Sequence, residues 1–89
     1  MVDRLAEIKC VEMPIEMQEE AVRTANEALD SYSEDYEIAA YLRQRFDKLY
    51  KPVWHCFVGR SFGGSVAYEE HHFIYFTLRK RAFMLYKWS

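Results

Sequence analysis

Pro52-Val53-Trp54-His55-Cys56-Phe57-Val58-Gly59-Arg60-Ser61-Phe62-Gly63-Gly64-Ser65-Val66-Ala67-Tyr68 changes character near its midpoint. Val53 to Val58 is apolar, aromatic and β-branched, the composition of a strand buried on both faces. Ser61 to Tyr68 holds two of the chain's three glycines inside a weak strand pattern. Glycine in a strand marks a bulge or a close backbone approach. A firmly anchored strand followed by a loosely specified one predicts a sheet edge built to receive another strand.

The 89 residues predict one domain spanning 1–89, with a limited core. Half the chain is hydrophobic (51%) and 17% is aromatic, which is more apolar bulk than a small monomer easily hides, so a self-association surface is expected. The net charge of −2 conceals a gradient: residues 1–50 carry 12 acidic and 6 basic side chains, residues 51–89 carry 2 and 6. This reads as two differently solvated faces. A nucleic-acid footprint needs a clustered basic stripe, and only Arg79-Lys80-Arg81 approaches one. Cys10 and Cys56 make no disulfide framework. With no leader pattern and no apolar run of ~20 residues, a soluble, reduced, cytoplasmic protein with no membrane contact is expected.

Outward from the central stretch, Arg4 to Val11 alternates with Ala6, Ile8 and Cys10 on one face, predicting a short edge strand. Met13-Pro14 punctuates. Met17, Ala21, Ala25, Ala28, Leu29 and Tyr32 then recur at helical spacing, predicting a helix from Ile15 to Tyr32 with Glu16, Glu19 and Glu20 near its positive pole. Ser33-Glu34-Asp35 breaks the pattern and offers N-caps. Ile38, Leu42, Phe46 and Leu49 form a second stripe ending at Tyr50-Lys51, and so short a link favours an antiparallel or sharply bent pair. Phe73 to Leu78 and Ala82 to Trp88 form a terminal hairpin around Arg79-Lys80-Arg81, a turn without the usual Gly or Asn. The predicted order is β-α-α-β-β-β-β, an α+β domain with two helices on one face of an antiparallel sheet.

Chemistry finds little to stand on. In Glu69-Glu70-His71-His72, adjacent strand residues face apart, so the two histidines do not share an ion, and a solvated turn is expected. His55 and Cys56 face apart for the same reason and make no base–nucleophile dyad. No phosphate loop or carboxylate pair is present. No enzyme activity, metal or cofactor is expected. Arg79-Lys80-Arg81 reads as a charged tip that discourages edge-to-edge aggregation.

Trp54-His55-Cys56, Val58-Gly59-Arg60, Phe62-Gly63 and His72-Phe73-Ile74-Tyr75-Phe76 resemble the smallest class of cytoplasmic dynein light chain. The likeness extends to Asp3-Arg4, Glu16-Met17, Asp35 through Ala40 and Phe46-Asp47-Lys48, without gaps over the whole chain. The resemblance implies a homodimer in which one strand of each protomer, here Phe62 to Tyr68, joins the partner's sheet. It implies two grooves, each taking a short extended peptide as an added antiparallel strand, often with a Thr-Gln-Thr core. Partners of the family include the dynein intermediate chain and many non-motor proteins, in the cytoplasm and on the cytoskeleton.

Carried over by resemblance, the groove comprises Asp35 and Tyr36 at the second helix and Arg60, Ser61, Phe62 and Gly63 before the crossing segment. It continues through Gly64, Ser65, Val66, Ala67 and Tyr68 to a floor of Phe73, Tyr75 and Thr77. The dimer contacts are His55, Phe62, Val66 and Tyr75. Several groove positions depart from the family. Polar or aromatic residues give way to Gly64, Ser65 and Ala67, and a histidine to Tyr68. A lysine becomes Tyr36, a floor aromatic Thr77, the hairpin glycine Arg79, and a proposed phosphorylation serine Trp88. The ligand's central Gln, which caps the second helix from outside, is expected to remain selected, with weaker demand for flanking Thr and acidic residues. Two functions follow: a peptide-binding hub or motor light chain, or a structural dimer whose groove serves one dedicated partner outside the motor.

Overall fold

The computed structural model describes residues 5–60 and 68–88. Its elements run β1 (Glu7–Glu12), α1 (Ile15–Ser31), α2 (Asp35–Tyr50), β2 (Trp54–Gly59), β3 (Tyr68–Leu78) and β4 (Arg81–Trp88). Among the described residues the sheet has four strands in the order β1-β3-β4-β2, every pair antiparallel. This is the α+β arrangement expected from the sequence. The strand expected over Phe62 to Tyr68 lies outside the described residues except for Tyr68, which opens β3.

Alternation along β3 and β4 sorts the sheet into two faces. Ile74, Phe76 and Leu78 of β3, Phe83 and Leu85 of β4, and Trp54 of β2 share one core with Ala21, Ala25 and Ala28 of α1 and Ile38, Leu42 and Phe46 of α2. Phe76 and Phe83 stand opposite each other in the register with rings stacked 4.9 Å apart. Both helices therefore cover one face. Phe73, Met84 and Tyr86 form a second cluster on the other, with Tyr75 packed against it.

The antiparallel helix pair follows from its three-residue link: Glu27 accepts from the Tyr41 hydroxyl at 3.0 Å, while Arg45 reaches back to Glu20 at 3.5 Å. α1 ends one residue earlier than expected, with Tyr32 as its extended C-cap. The expected second stripe loses Leu49, which is 49% exposed; Tyr50, four residues after Phe46, packs against the core instead. Glu20, expected to serve the helix dipole from solvent, is instead buried between the helices. Burial would raise its carboxyl, but hydrogen bonds from Arg23 and Thr24 and the charges of Arg23 and Arg45 outweigh it and leave the pKa below its ordinary 4.5.

A depressed carboxyl stabilises the fold above the unfolded-state pKa, and that contribution disappears as pH falls through the folded value. Glu20→Gln is expected to cost about 1–2 kcal/mol at pH 7. Denaturant titrations should show that gap closing as pH falls below the ordinary carboxyl value of 4.5. A gap unchanged by acid would mean the charge contributes nothing.

Two strands differ instructively from expectation. A register shift between Ile8 and Cys10 in β1 sets Lys9 apart as a bulge residue, so Ile8 faces Phe76 on the helix side while Cys10 faces Tyr75 on the other. The single face expected for Ala6, Ile8 and Cys10 is thereby broken. Glu69-Glu70-His71-His72, expected as a solvated turn, belongs to β3, with its register irregular between Tyr68 and Phe73. His71 takes a φ of 67° and its amide donates to Glu12 Oε1 at 2.9 Å, while the His72 ring lies edge-on to Trp54. Long-range contacts, invisible to a local pattern, hold that segment in the sheet.

Candidate functional site

β2 is an outer strand of the described sheet, paired with β4 through Trp54↔Lys87 to Gly59↔Ala82. Its sequence led us to expect burial on both faces. Alternation instead buries Trp54 under α2 and leaves Phe57 47% exposed. Among the described residues β2 has a partner on one side only, so its other edge offers backbone donors and acceptors for pairing. Val53 (52%), Phe57 and Trp88 (56%) are exposed along this margin, an apolar fringe beside that open edge.

Trp54 anchors the strand. Its amide donates to Asp47 Oδ1 at 2.8 Å, and its ring packs edge-on against Phe46 at 4.9 Å and near Tyr50 at 6.2 Å. On the opposite face His55 is half-buried between Tyr86 and Trp88, each ring 5.6 Å away. His55 and Cys56 thus face apart, as strand alternation demands.

Beside the same strand lies the start of α2. Glu37 and Ile38 amides both donate to Glu34 O at 3.1 Å, and no side chain caps the helix. The expected caps in Ser33-Glu34-Asp35 are not used as caps. Asp35 is drawn instead into a 3.4 Å ion pair with Arg81, and Ser33 O accepts from Arg81 Nη2 at 3.0 Å. Tyr36 is 73% exposed on the first turn. An uncapped helix start presents amide donors and the positive end of the helix dipole.

A trough of about 390 Å³ runs between these elements, lined by Tyr36, Ala39, Ala40 and Arg43 from α2 and by Cys56, Phe57 and Val58 from β2. The i, i+3, i+4, i+7 spacing of the α2 residues puts them on one helix face, a signal open to sequence reading but masked by the stronger apolar stripe. Cys56 keeps some exposed surface yet is closely surrounded by protein. That burial pushes its thiol up to about 12 against the opposing charge of Arg43, so it is no nucleophile at neutral pH.

Asp35, Tyr36 and Arg60 come together at the α2 start, where all three line one cavity. Phe73, Tyr75 and Thr77 do not join them: their register places them on the helix-free face with Met84, Tyr86 and Ala82. Within one chain the expected groove is therefore split into two parts. Ser61, Phe62, Gly63, Gly64, Ser65, Val66 and Ala67 lie outside the described residues. Among the described residues no cluster of three or more His, Cys, Asp or Glu is arranged to hold a metal, and no helix is long and apolar enough to cross a membrane.

Among the solved structures that resemble the chain are two of one domain. One is the dynein light chain-like domain of the Fasciola hepatica calcium binding protein FhCaBP2 in a native crystal: TM-score 0.83, 18% identity, covering 100% of this chain and 99% of that one. The other is a mercury derivative of the same domain, at TM-score 0.79 and 17% identity, covering 94% and 92%. At such identities the likeness establishes the fold. The family model described as Dynein light chain type 1 matches residues 5–88, and by that match over nearly its whole length the chain belongs to the dynein light chain type 1 family.

Proposed function

We propose that this protein is a non-catalytic, single-domain, homodimeric peptide-binding module, a light-chain type hub that takes a short extended segment of its partner as an added antiparallel strand. The observation that supports this most is the open β2 edge, fringed by exposed Val53, Phe57 and Trp88, beside the uncapped start of α2. Strand addition uses main-chain hydrogen bonds for affinity and neighbouring pockets for selectivity. A second copy would complete the arrangement, its Phe62–Tyr68 segment pairing with the edge as the strand beside which the peptide adds, and its Phe73, Tyr75 and Thr77 supplying the other half of the groove. His55, Phe62, Val66 and Tyr75 would then be dimer contacts. The partners that fit are the dynein intermediate chain and other proteins carrying Gln-centred linear motifs, in the cytoplasm and at the cytoskeleton. No cofactor enters this function.

The central Gln would accept from the free amides at Asp35 and Tyr36, acting as the cap the chain itself omits. Such a cap is worth about 1 kcal/mol. A Gln-centred peptide is expected to bind about five- to tenfold more tightly than its Gln→Ala variant by calorimetry. Equal affinities would mean that the helix start does not read the ligand. Silence across an array of Gln-containing peptides would favour the second function, a structural dimer dedicated to one partner. The open helix start favours the hub.

A further inference from the structure

The β3–β4 turn folds over the start of α2 and closes a cavity of about 830 Å³, lined by four basic side chains, Arg60, Arg79, Lys80 and Arg81, against the acidic Glu34 and Asp35. We propose that this corner binds an oxyanion carried on the peptide ligand, a phosphorylated or carboxylate side chain close to the central Gln. The proposal rests on the peptide-binding reading above and names the chemistry next to the residue that caps α2.

A charged tip that merely guards a hairpin would hold its cations in water. Here the Arg79 side chain is only 14% exposed and the Arg81 side chain 30%. Both are tethered beneath the helix start, Arg79 Nη1 to Asp30 Oδ1 at 2.9 Å and Arg81 Nη2 to Ser33 O at 3.0 Å. The tethers fix the guanidinium planes but do not exhaust them. Nε and Nη2 of Arg79 are sequestered from water with no hydrogen-bond acceptor among the described residues, while Nη1 of Arg81, equally sequestered, has only the 3.4 Å ion pair with Asp35. Sequestered cationic donors call for an acceptor, and the planar guanidinium fork matches the paired oxygens of phosphate and carboxylate.

The turn itself supports the same conclusion. Arg79 and Lys80 occupy its two central positions with φ of 50° and 67°. A tight hairpin turn with positive φ at both positions is the place for Asn-Gly, and long side chains there are held in a less favourable conformation. Strain of this kind persists where the side chains serve a purpose. The dipole of α2, uncapped and pointing its positive end into the cavity wall, adds to the field.

The test titrates the full-length protein, by calorimetry and amide chemical shifts, with three Gln-centred peptides that carry Ser, phosphoserine or Asp beside the Gln. Both flanks are tried. The phosphoserine peptide is expected to bind at least tenfold more tightly than the Ser peptide, with shifts at Asp35–Glu37 and Arg79–Arg81. An equal gain from Asp identifies the ligand as a carboxylate, and a gain from phosphoserine alone identifies it as a phosphate. Arg79→Asn with Lys80→Gly gives the turn residues it prefers, so this variant should fold at least as stably while losing the gain. Arg81→Gln should lose part of it. Three peptides of equal affinity, or a gain untouched by both variants, would overturn the anion site while leaving peptide binding intact. Failure of all three to bind would overturn both readings.

Discussion

Trp54→Ala is expected to lower the unfolding free energy by about 3–5 kcal/mol. That is most of what a chain of 89 residues has to lose. Trp54 has no exposed surface and joins its own strand β2 to two other elements, through Phe46 and Tyr50 of α2 and His72 of β3. Removing the indole leaves a cavity under the strand that carries the candidate site and loses the edge-on ring contacts. α2 and β2 would part first, because their mutual packing is centred on this side chain. Denaturant titration at fixed protein concentration, with Trp54→Phe as a volume-sparing control, reads the effect. A loss below about 1 kcal/mol would show that the site's position depends on other contacts.

His55→Lys is expected to dissociate the proposed dimer while leaving each chain folded. His55 lies on the face away from the helices and touches Tyr86 and Trp88, so its replacement disturbs little of the helix-side core. In the assembled pair each copy would bring one ammonium group into a partly desolvated aromatic contact near its symmetry mate. An uncompensated buried charge costs about 3 kcal/mol, which corresponds to a dissociation constant raised on the order of a hundredfold. Sedimentation at micromolar concentration and neutral pH should show the variant as monomer and the parent protein as dimer. A variant as dimeric as the parent would take His55 out of the interface, and a monomeric parent would overturn the dimer altogether. Two grooves per dimer would also let a dimeric partner bind by avidity, so this variant should lose more affinity for a bivalent ligand than for a single peptide.

The order of elements was legible because each carries its own local signal. Met17, Ala21, Ala25 and Ala28 repeat at helical spacing, Ile74, Phe76 and Leu78 at strand spacing, and Pro14 and Pro52 punctuate the segments between. Local periodicity reports which face of an element is apolar, and burial then follows it closely in α1 and β3. The family was legible for a different reason: Trp54-His55-Cys56, Val58-Gly59-Arg60 and Phe62-Gly63 resemble its motifs residue by residue.

Other features depended on residues distant in sequence. The bulge at Lys9 turns Cys10 to the opposite face because β1 must match β3, and no pattern within β1 records that demand. His71 and His72 belong to β3 because that strand is held across 59 residues by Glu12 and packed on Trp54, although their own sequence reads as a turn. Glu20 looks like a solvent-facing helix residue until α2 brings Arg45 beside it. The basic corner is the clearest case. Arg79-Lys80-Arg81 read alone is a solvated hairpin tip, and its charges acquire partners and unused donors only when the hairpin packs on Asp30, Ser33 and Asp35. Sequence by itself determined the alternation of apolar and polar positions, hence the elements and the face each buries, since those are set by covalent geometry and hydrophobicity over a few residues. Only the tertiary structure decided register, outer-strand position and which charges meet, since these are settled by packing between segments whose separation along the chain carries no local signal.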